Sequence, residues 1–218
     1  MKAVLILSGG MDSTTLLYDL IRQGHEVHAV TFDYNQRHRK EIASATAICK
    51  KLQVPQKVID LSVLNDLAPS CLTRDGWEVP EGNYADENMK QTVVPNRNMV
   101  FLSLAAAFAI GIRADQLFYG AHAGDHTIYP DCRPAFVSAM TTAFHLCDWS
   151  DLVLEVPYLY LTKGDIVRKG LTLGVDYSLT WTCYKGGEKA CGVCGSCDER
   201  LAAFLDAGAT DPLEYEAK

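Results

Sequence analysis

No apolar run in the 218-residue chain approaches the ~20 residues that a membrane span needs. Met1-Lys2-Ala3 leads straight into a strand-like segment, without a separate hydrophobic stretch and a small-residue cleavage site. A secretory signal is therefore not expected, and the cytoplasm is. There is no internal repeat and no low-complexity segment. No block of five or more basic residues occurs, the densest stretch being Arg37-His38-Arg39-Lys40, and the net charge is −7. A protein that grips a nucleic-acid backbone needs cations facing phosphates, so neither nucleic acid nor membrane is an expected partner. Two common phosphate-binding signatures are also missing, G-x-G-x-x-G and G-x-x-x-x-G-K-[ST], and with the second goes its phosphate-reaching lysine.

What is present is the composition of an ordinary globular protein, 48% hydrophobic and 22% charged. Its length suits one good-sized domain, or one domain with a small appendage. The most informative stretch comes early. Ala3 to Leu7 reads as a buried strand, and Leu16, Leu17, Leu20 and Ile21 recur as on a helix face. Between them lies a turn, Ser8-Gly9-Gly10-Met11-Asp12-Ser13, running on into Thr14-Thr15-Leu16-Leu17. Paired glycines open conformations closed to other residues, and the amides of a helix start favour an anion. The spacing predicts a phosphate site. Asp12 is a candidate to hold Mg²⁺ or to fix the loop; a plain helix-start carboxylate is its alternative.

Further along, strands are predicted at Glu26 to Thr31, Lys57 to Leu61, Asp115 to Tyr119 and Leu152 to Val156, alternating with helices. This predicts an α/β fold: a doubly wound, mainly parallel five-stranded sheet with helices on both faces. Residues 1–176 form the expected nucleotide-binding domain and 177–218 a small C-terminal segment. From Ser62 to Pro95 the pattern weakens, as in a mobile lid or an insertion. Asn96 is expected to cap a buried helix, and Thr162-Lys163-Gly164-Asp165 has the form of a capping box. The polar stretch 120–133 should share a crevice with the Ser8–Ser13 turn, beyond the carboxyl ends of the strands.

Eight cysteines in a cytosolic chain point to metal or redox chemistry before disulfides. Cys183, Cys191, Cys194 and Cys197 are spaced C-x7-C-x2-C-x2-C, which suits four thiolates around a structural Zn²⁺. An iron-sulfur cluster is the rival. Cys49, Cys71, Cys132 and Cys147 are expected in packing roles, with Cys132 the possible exception because of its loop.

The SGGMDS turn resembles the loop of the PP-loop ATP pyrophosphatase superfamily, which binds ATP, holds its pyrophosphate and transfers AMP to a substrate oxygen. The order of further motifs narrows this: Asp33-Tyr34-Asn35-Gln36-Arg37-His38, Pro95-Asn96-Arg97-Asn98, Gly120-Ala121-His122 with Asp125, Tyr129-Pro130-Asp131-Cys132-Arg133, Leu161-Thr162-Lys163 and the four cysteines. From end to end the set is similar to the 7-cyano-7-deazaguanine synthase family of queuosine biosynthesis. The resemblance implies a carbon–nitrogen ligase that joins 7-carboxy-7-deazaguanine and ammonia at the expense of ATP, and a homodimer. Under it, Leu7 to Leu17 hold ATP, and Lys163, Asp131 and Asp125 are candidate catalytic residues. Arg97 and Arg133 are candidates for the substrate carboxylate, and Tyr34 for stacking on the base. His122 and His126 are candidate proton shuttles. A tRNA thiolase of the same superfamily and a non-catalytic nucleotide sensor are the alternatives.

Overall fold

Ala3, Val4, Leu5 and Leu7 are fully buried although their side chains point alternately to opposite sides, as only a strand covered on both faces allows. The computed structural model describes residues 1–74, 76–82 and 87–216. In it, five parallel strands, β1 (Lys2–Ile6), β2 (Glu26–Asp33), β3 (Gln56–Asp60), β4 (Gln116–Phe118) and β5 (Val153–Glu155), lie in the order β3-β2-β1-β4-β5. Every pairing is parallel, as the alternation of strands and helices predicts.

The two faces carry separate cores. Ala3, Leu5, Leu7, Val27 and Ala29 pack against α1 (Met11–Arg22), α2 (Lys40–Leu52) and Ile166 of α6 (Lys163–Leu173). Val4, Ile6, Val30, Phe32 and Leu117 pack against α4 (Arg97–Gly111) and α5 (Pro134–Cys147). Where the order of strand addition reverses, between β1 and β4, the loops after the two strands part and leave a crevice at their carboxyl ends. Among the described residues, no helix is long and apolar enough to cross a membrane.

Several local expectations need correction. The stretch from 62 to 95 holds a short helix, α3 (Val63–Leu67), and a 3-10 segment, Glu87–Thr92. Of its described apolar residues, Leu64, Cys71, Leu72, Met89 and Val94 anchor it in the core with Val4 and Leu102, whereas Val63, Leu67 and Trp77 are exposed. Helix α4 keeps Met99, Ser103 and Ala107 exposed, so it is covered on one side only. Asn96 does not cap it. Its φ of 62° puts it in the left-handed region and its side chain bonds no helix amide. Asp131 does that work from another segment, its Oδ2 accepting from the Asn98 N–H at 3.3 Å. The box at Thr162 forms as expected, with Asp165 closing it.

The C-terminal segment is built into the same body. Helix α7 (Gly195–Asp206) packs on α6, with Phe204 and Ala203 against Val167 and Met11. The guanidinium of Arg200, wholly buried, grips both oxygens of Asp211 at 2.7 and 2.9 Å.

Candidate functional site

The turn after β1 supplies the floor of the crevice. Gly9 has φ +91°, and α2 passes directly over it: a Cβ there would overlap the Glu41 carbonyl oxygen and stand 2.8 Å from the Ala45 nitrogen. Gly9→Ala is expected to cost roughly 1–3 kcal/mol in backbone strain alone, with the clash added, and to abolish nucleotide binding. Thermal unfolding and ATP titration of the variant check this. Gly10 precedes α1 without any side-chain cap, so the first-turn amides remain open to an anion. Ser8 and Ser13 brace the turn, Oγ to Oγ at 3.1 Å, and Ser8 Oγ accepts from the Gly10 N–H.

Of the stretch Leu7 to Leu17, the cavity is lined by Leu7, Ser8, Gly10, Met11, Asp12 and Ser13. The others lie behind it. Gly9 sits under α2, Leu16 and Leu17 are in the core, Thr14 is buried, and Thr15 Oγ1 donates to the Met11 carbonyl.

Lys163 begins α6 and reaches back to this floor, its Nζ 3.4 Å from Asp12 Oδ2 and 2.5 Å from Glu199 Oε2. Burial opposes its charge, but Asp12, then Glu199 and Asp125, outweigh it and hold the ammonium well above the usual lysine range. Glu199 itself is pushed upward by burial, against the pull of Lys163. His122, buried, accepts from the Gly124 N–H at Nδ1 and turns Nε2 toward Asp125 and Asp12, at 3.5 and 3.8 Å. Asp12 Oδ1 is buried with no hydrogen-bond partner.

The same cavity is also lined by Tyr34, Arg97, Asn98, Phe101, Tyr119 and Cys132. The Arg97 guanidinium lies 5.9 Å from the Tyr34 ring centre and donates to Tyr34 Oη and Asn98 Oδ1. It pairs with no carboxylate among the described residues. Burial opposes its charge too, yet the surrounding Tyr34, Tyr129 and Asp131 keep it firmly protonated. Burial, reinforced by Asp125, pushes the Cys132 thiol well above its ordinary range, so it is a neutral wall, 3.2 Å from Tyr119 Oη.

Not every expected residue is here. Asp131 is not among the cavity-lining residues; its Oδ2 serves the start of α4, while its Oδ1 is buried with no hydrogen-bond partner. Arg133 is exposed and donates to the carbonyls of His126 and Thr127, stitching its own loop. His126 also stands outside the lining, whereas Asp125, Tyr34 and Arg97 are inside it. Conversely, Glu41, His38, Gln36, Ser196 and Tyr184 line the cavity without having been singled out individually. Gln36 and His38 belong to a motif read as a whole; Glu41 and Glu199 carried no signal beyond being helical acids.

The four thiols behind Ser196 are all buried, and their sulfurs lie within 4.8 Å of one another. Cys194 stands at the N-cap of α7 and Cys197 in its first turn, where the helix dipole favours thiolate. This donor set fits a closed tetrahedral metal site.

An uncapped glycine turn between a parallel strand and a helix, a buried lysine facing it and a cavity at the switch of strand order together define an α/β protein of the PP-loop, ATP-using class. Within that class the chain belongs to the family described as queuosine biosynthesis protein QueC, whose model matches residues 2–208. It is 74% identical over 216 residues to the 7-cyano-7-deazaguanine synthase of Methanoregula boonei, covering 99% of this chain and 100% of that one. The synthase of Caldicellulosiruptor saccharolyticus is 62% identical (99% and 96% covered) and that of Hahella chejuensis 54% (99% and 94%). Two distant structures share the fold at a TM-score of 0.51. NMN synthetase from Francisella tularensis is 13% identical, with 95% of this chain and 77% of that one covered. A predicted subunit of tRNA methyltransferase from Methanocaldococcus jannaschii is 16% identical, with 79% and 76% covered. The full-length relatives do not favour a tRNA thiolase or a nucleotide sensor.

Proposed function

We propose that the chain converts 7-carboxy-7-deazaguanine, ammonia and ATP into 7-cyano-7-deazaguanine, AMP and pyrophosphate. The observation that carries this is the Arg97 guanidinium, which pairs with no carboxylate among the described residues, in one cavity with the phosphate turn and Lys163. A planar fork suits a carboxylate, and Tyr34 offers a ring face for the base. A carboxylate is a poor electrophile until one of its oxygens is attached to a good leaving group, and adenylation provides one. The turn amides, Ser8, Ser13 and Lys163 would hold the departing pyrophosphate.

Mg²⁺ fits the partnerless Asp12 Oδ1: Asp12 and Asp125 would hold it, and it would offset charge on the triphosphate. Zn²⁺ fits the four thiols, held by Cys183, Cys191, Cys194 and Cys197, and would brace α7 without entering the chemistry. Asp125 and His122 are proposed to orient the metal-side groups, and Asp131 to act through the start of α4. A cytoplasmic enzyme with small-molecule partners only is part of this reading. So is a homodimer, for which α5 and its flank present Leu146 and Trp149, 81% and 103% exposed.

Nitrile formation needs a second round: the amide oxygen is adenylated and leaves with AMP. Incubation with acid, ammonium salt and ATP should yield the nitrile by mass spectrometry, with AMP and pyrophosphate. ADP as the nucleotide product, or failure of supplied amide to become nitrile with ATP, would overturn the scheme.

A further inference from the structure

Glu41 and His38 line the same cavity, and neither phosphate binding nor the hold on the carboxylate uses them. Glu41 Oε2 lies 3.4 Å from His38 Nε2. Its Oε1 turns to the phosphate turn, 4.0 Å from where a Cβ on Gly10 would stand. His38 is 2% exposed, and its Nδ1 is buried with no hydrogen-bond partner, an unfavourable state that a ligand would relieve. Charges from three other elements reach the carboxylate: Arg97 of α4, Lys163 of α6 and Asp12 of α1. Glu41 thus approaches the phosphate turn and feels the charges of both Arg97 and Lys163, the groups proposed to hold the carboxylate and the phosphates between which the bond to AMP must form and break.

We propose that Glu41 is the catalytic base that takes up the protons released from nitrogen on the way from acid to nitrile, with His38 as its positioning residue. The proposal rests on the ligase reading. In the first round the ammonia lone pair attacks the acyl carbon, a C–N bond forms, and the C–O bond to AMP breaks with its electron pair leaving on AMP. The nitrogen sheds one proton to give the neutral amide. In the second round the amide oxygen attacks the α-phosphorus of another ATP and displaces pyrophosphate. The nitrogen then sheds both remaining protons as the C–O bond breaks to AMP and C≡N forms. Each of these protons needs an acceptor beside nitrogen, and an ordinary exposed carboxylate is a weak one. Burial, opposed by Arg97 and Lys163 and aided by Asp12, pushes Glu41 up to about 8, while burial and then Arg97 push His38 down to about 3. A base matched to working pH is the efficient kind.

The amide-to-nitrile half-reaction isolates the step, because no ammonia titrates in it. In Glu41→Gln, nitrile formation from amide and ATP should fall about 10²–10⁴-fold, whereas acid-dependent exchange of pyrophosphate into ATP should fall far less. The parent rate should rise with pH toward a plateau above about 8, following ionisation of Glu41, and the residual rate of Glu41→Gln should lose that dependence. Glu41→Asp should recover part of the rate, and His38→Asn should move the midpoint of the profile. Equal loss of exchange and nitrile formation in Glu41→Gln, or an unchanged pH profile, would overturn the assignment. A parent enzyme that makes no nitrile from amide would instead bring down the ligase reading, and this proposal with it.

Discussion

Lys163→Ala is expected to lower AMP release by about 10²–10³-fold, the range for removing one preorganised donor from developing negative charge. The ammonium is 9% exposed and sits between Asp12 and Glu199. Largely buried, its charge is screened less than a surface lysine's in its attraction for a triphosphate. Its loss would remove the ammonium that Asp12, Glu199 and Asp125 face and leave their negative charge less offset toward an incoming polyanion. ATP affinity should therefore fall with the rate. Stability should change as well, since breaking a buried ion pair from one side costs roughly 3–5 kcal/mol. Here protonation of Glu199, already favoured by burial, would relieve part of that cost. Lys163→Arg keeps the charge but cannot keep the point geometry, and should fall between parent and Ala variant. Steady-state AMP assays with ATP titration and thermal melts separate these effects. An Ala variant within about tenfold of the parent rate, a difference of only ~1.4 kcal/mol, would remove Lys163 from the phosphate site.

Cys194→Ser should give the largest loss of stability. Structural zinc sites in small peptides are worth about 10–16 kcal/mol of apparent binding energy. In this chain a smaller part is at stake, because the four sulfurs also join a core with Val4, Val30 and Leu117. Metal analysis should find one ion per parent chain and none in the variant, and a strong chelator should lower the melting temperature of the parent toward that of the variant. ATP binding should weaken too. Ser196, on the first turn of α7, and Thr182, beside the first of the four cysteines, both line the cavity. Trp181, two residues before Cys183, donates its backbone N–H to the Gly9 carbonyl at 3.0 Å. Full metal content and an unchanged melt in Cys194→Ser would refute a structural site. A brown iron-sulfur absorbance in anaerobic protein would refute zinc.

The sheet was legible because both of its signals are local. Short apolar runs such as Val4 to Leu7 could be nothing but buried, and the helices between them carry their spacing openly. The glycine turn and the four cysteines were legible for the same reason, since each packs its chemistry into one short stretch. Asp131 and Asn96 show where that ends. From sequence, Asn96 stands at the helix start, but the backbone there turns left-handed and the helix takes its cap from residue 131. Spatial substitution of this kind leaves no mark on spacing. Arg133 shows a similar limit: spacing puts a cation near a polar loop, and only the structure shows two of its donors turned onto that loop's own carbonyls. Glu41 is the converse case. Its helix reads as an ordinary amphipathic surface element, and only the approach of Gly9 under the helix backbone brings its first turn over the phosphate turn.

The bond from Trp181 to Gly9 has a consequence in time. The phosphate turn leaves the ribosome well before Lys163, Thr182, Ser196 and Glu199, which follow about 150 residues or more later. At ~5–20 residues per second, the floor of the site waits roughly ten seconds or more for its walls. A nascent chain can thus form the sheet's first strands without being able to spend ATP, and turnover begins only once the cysteine segment has docked.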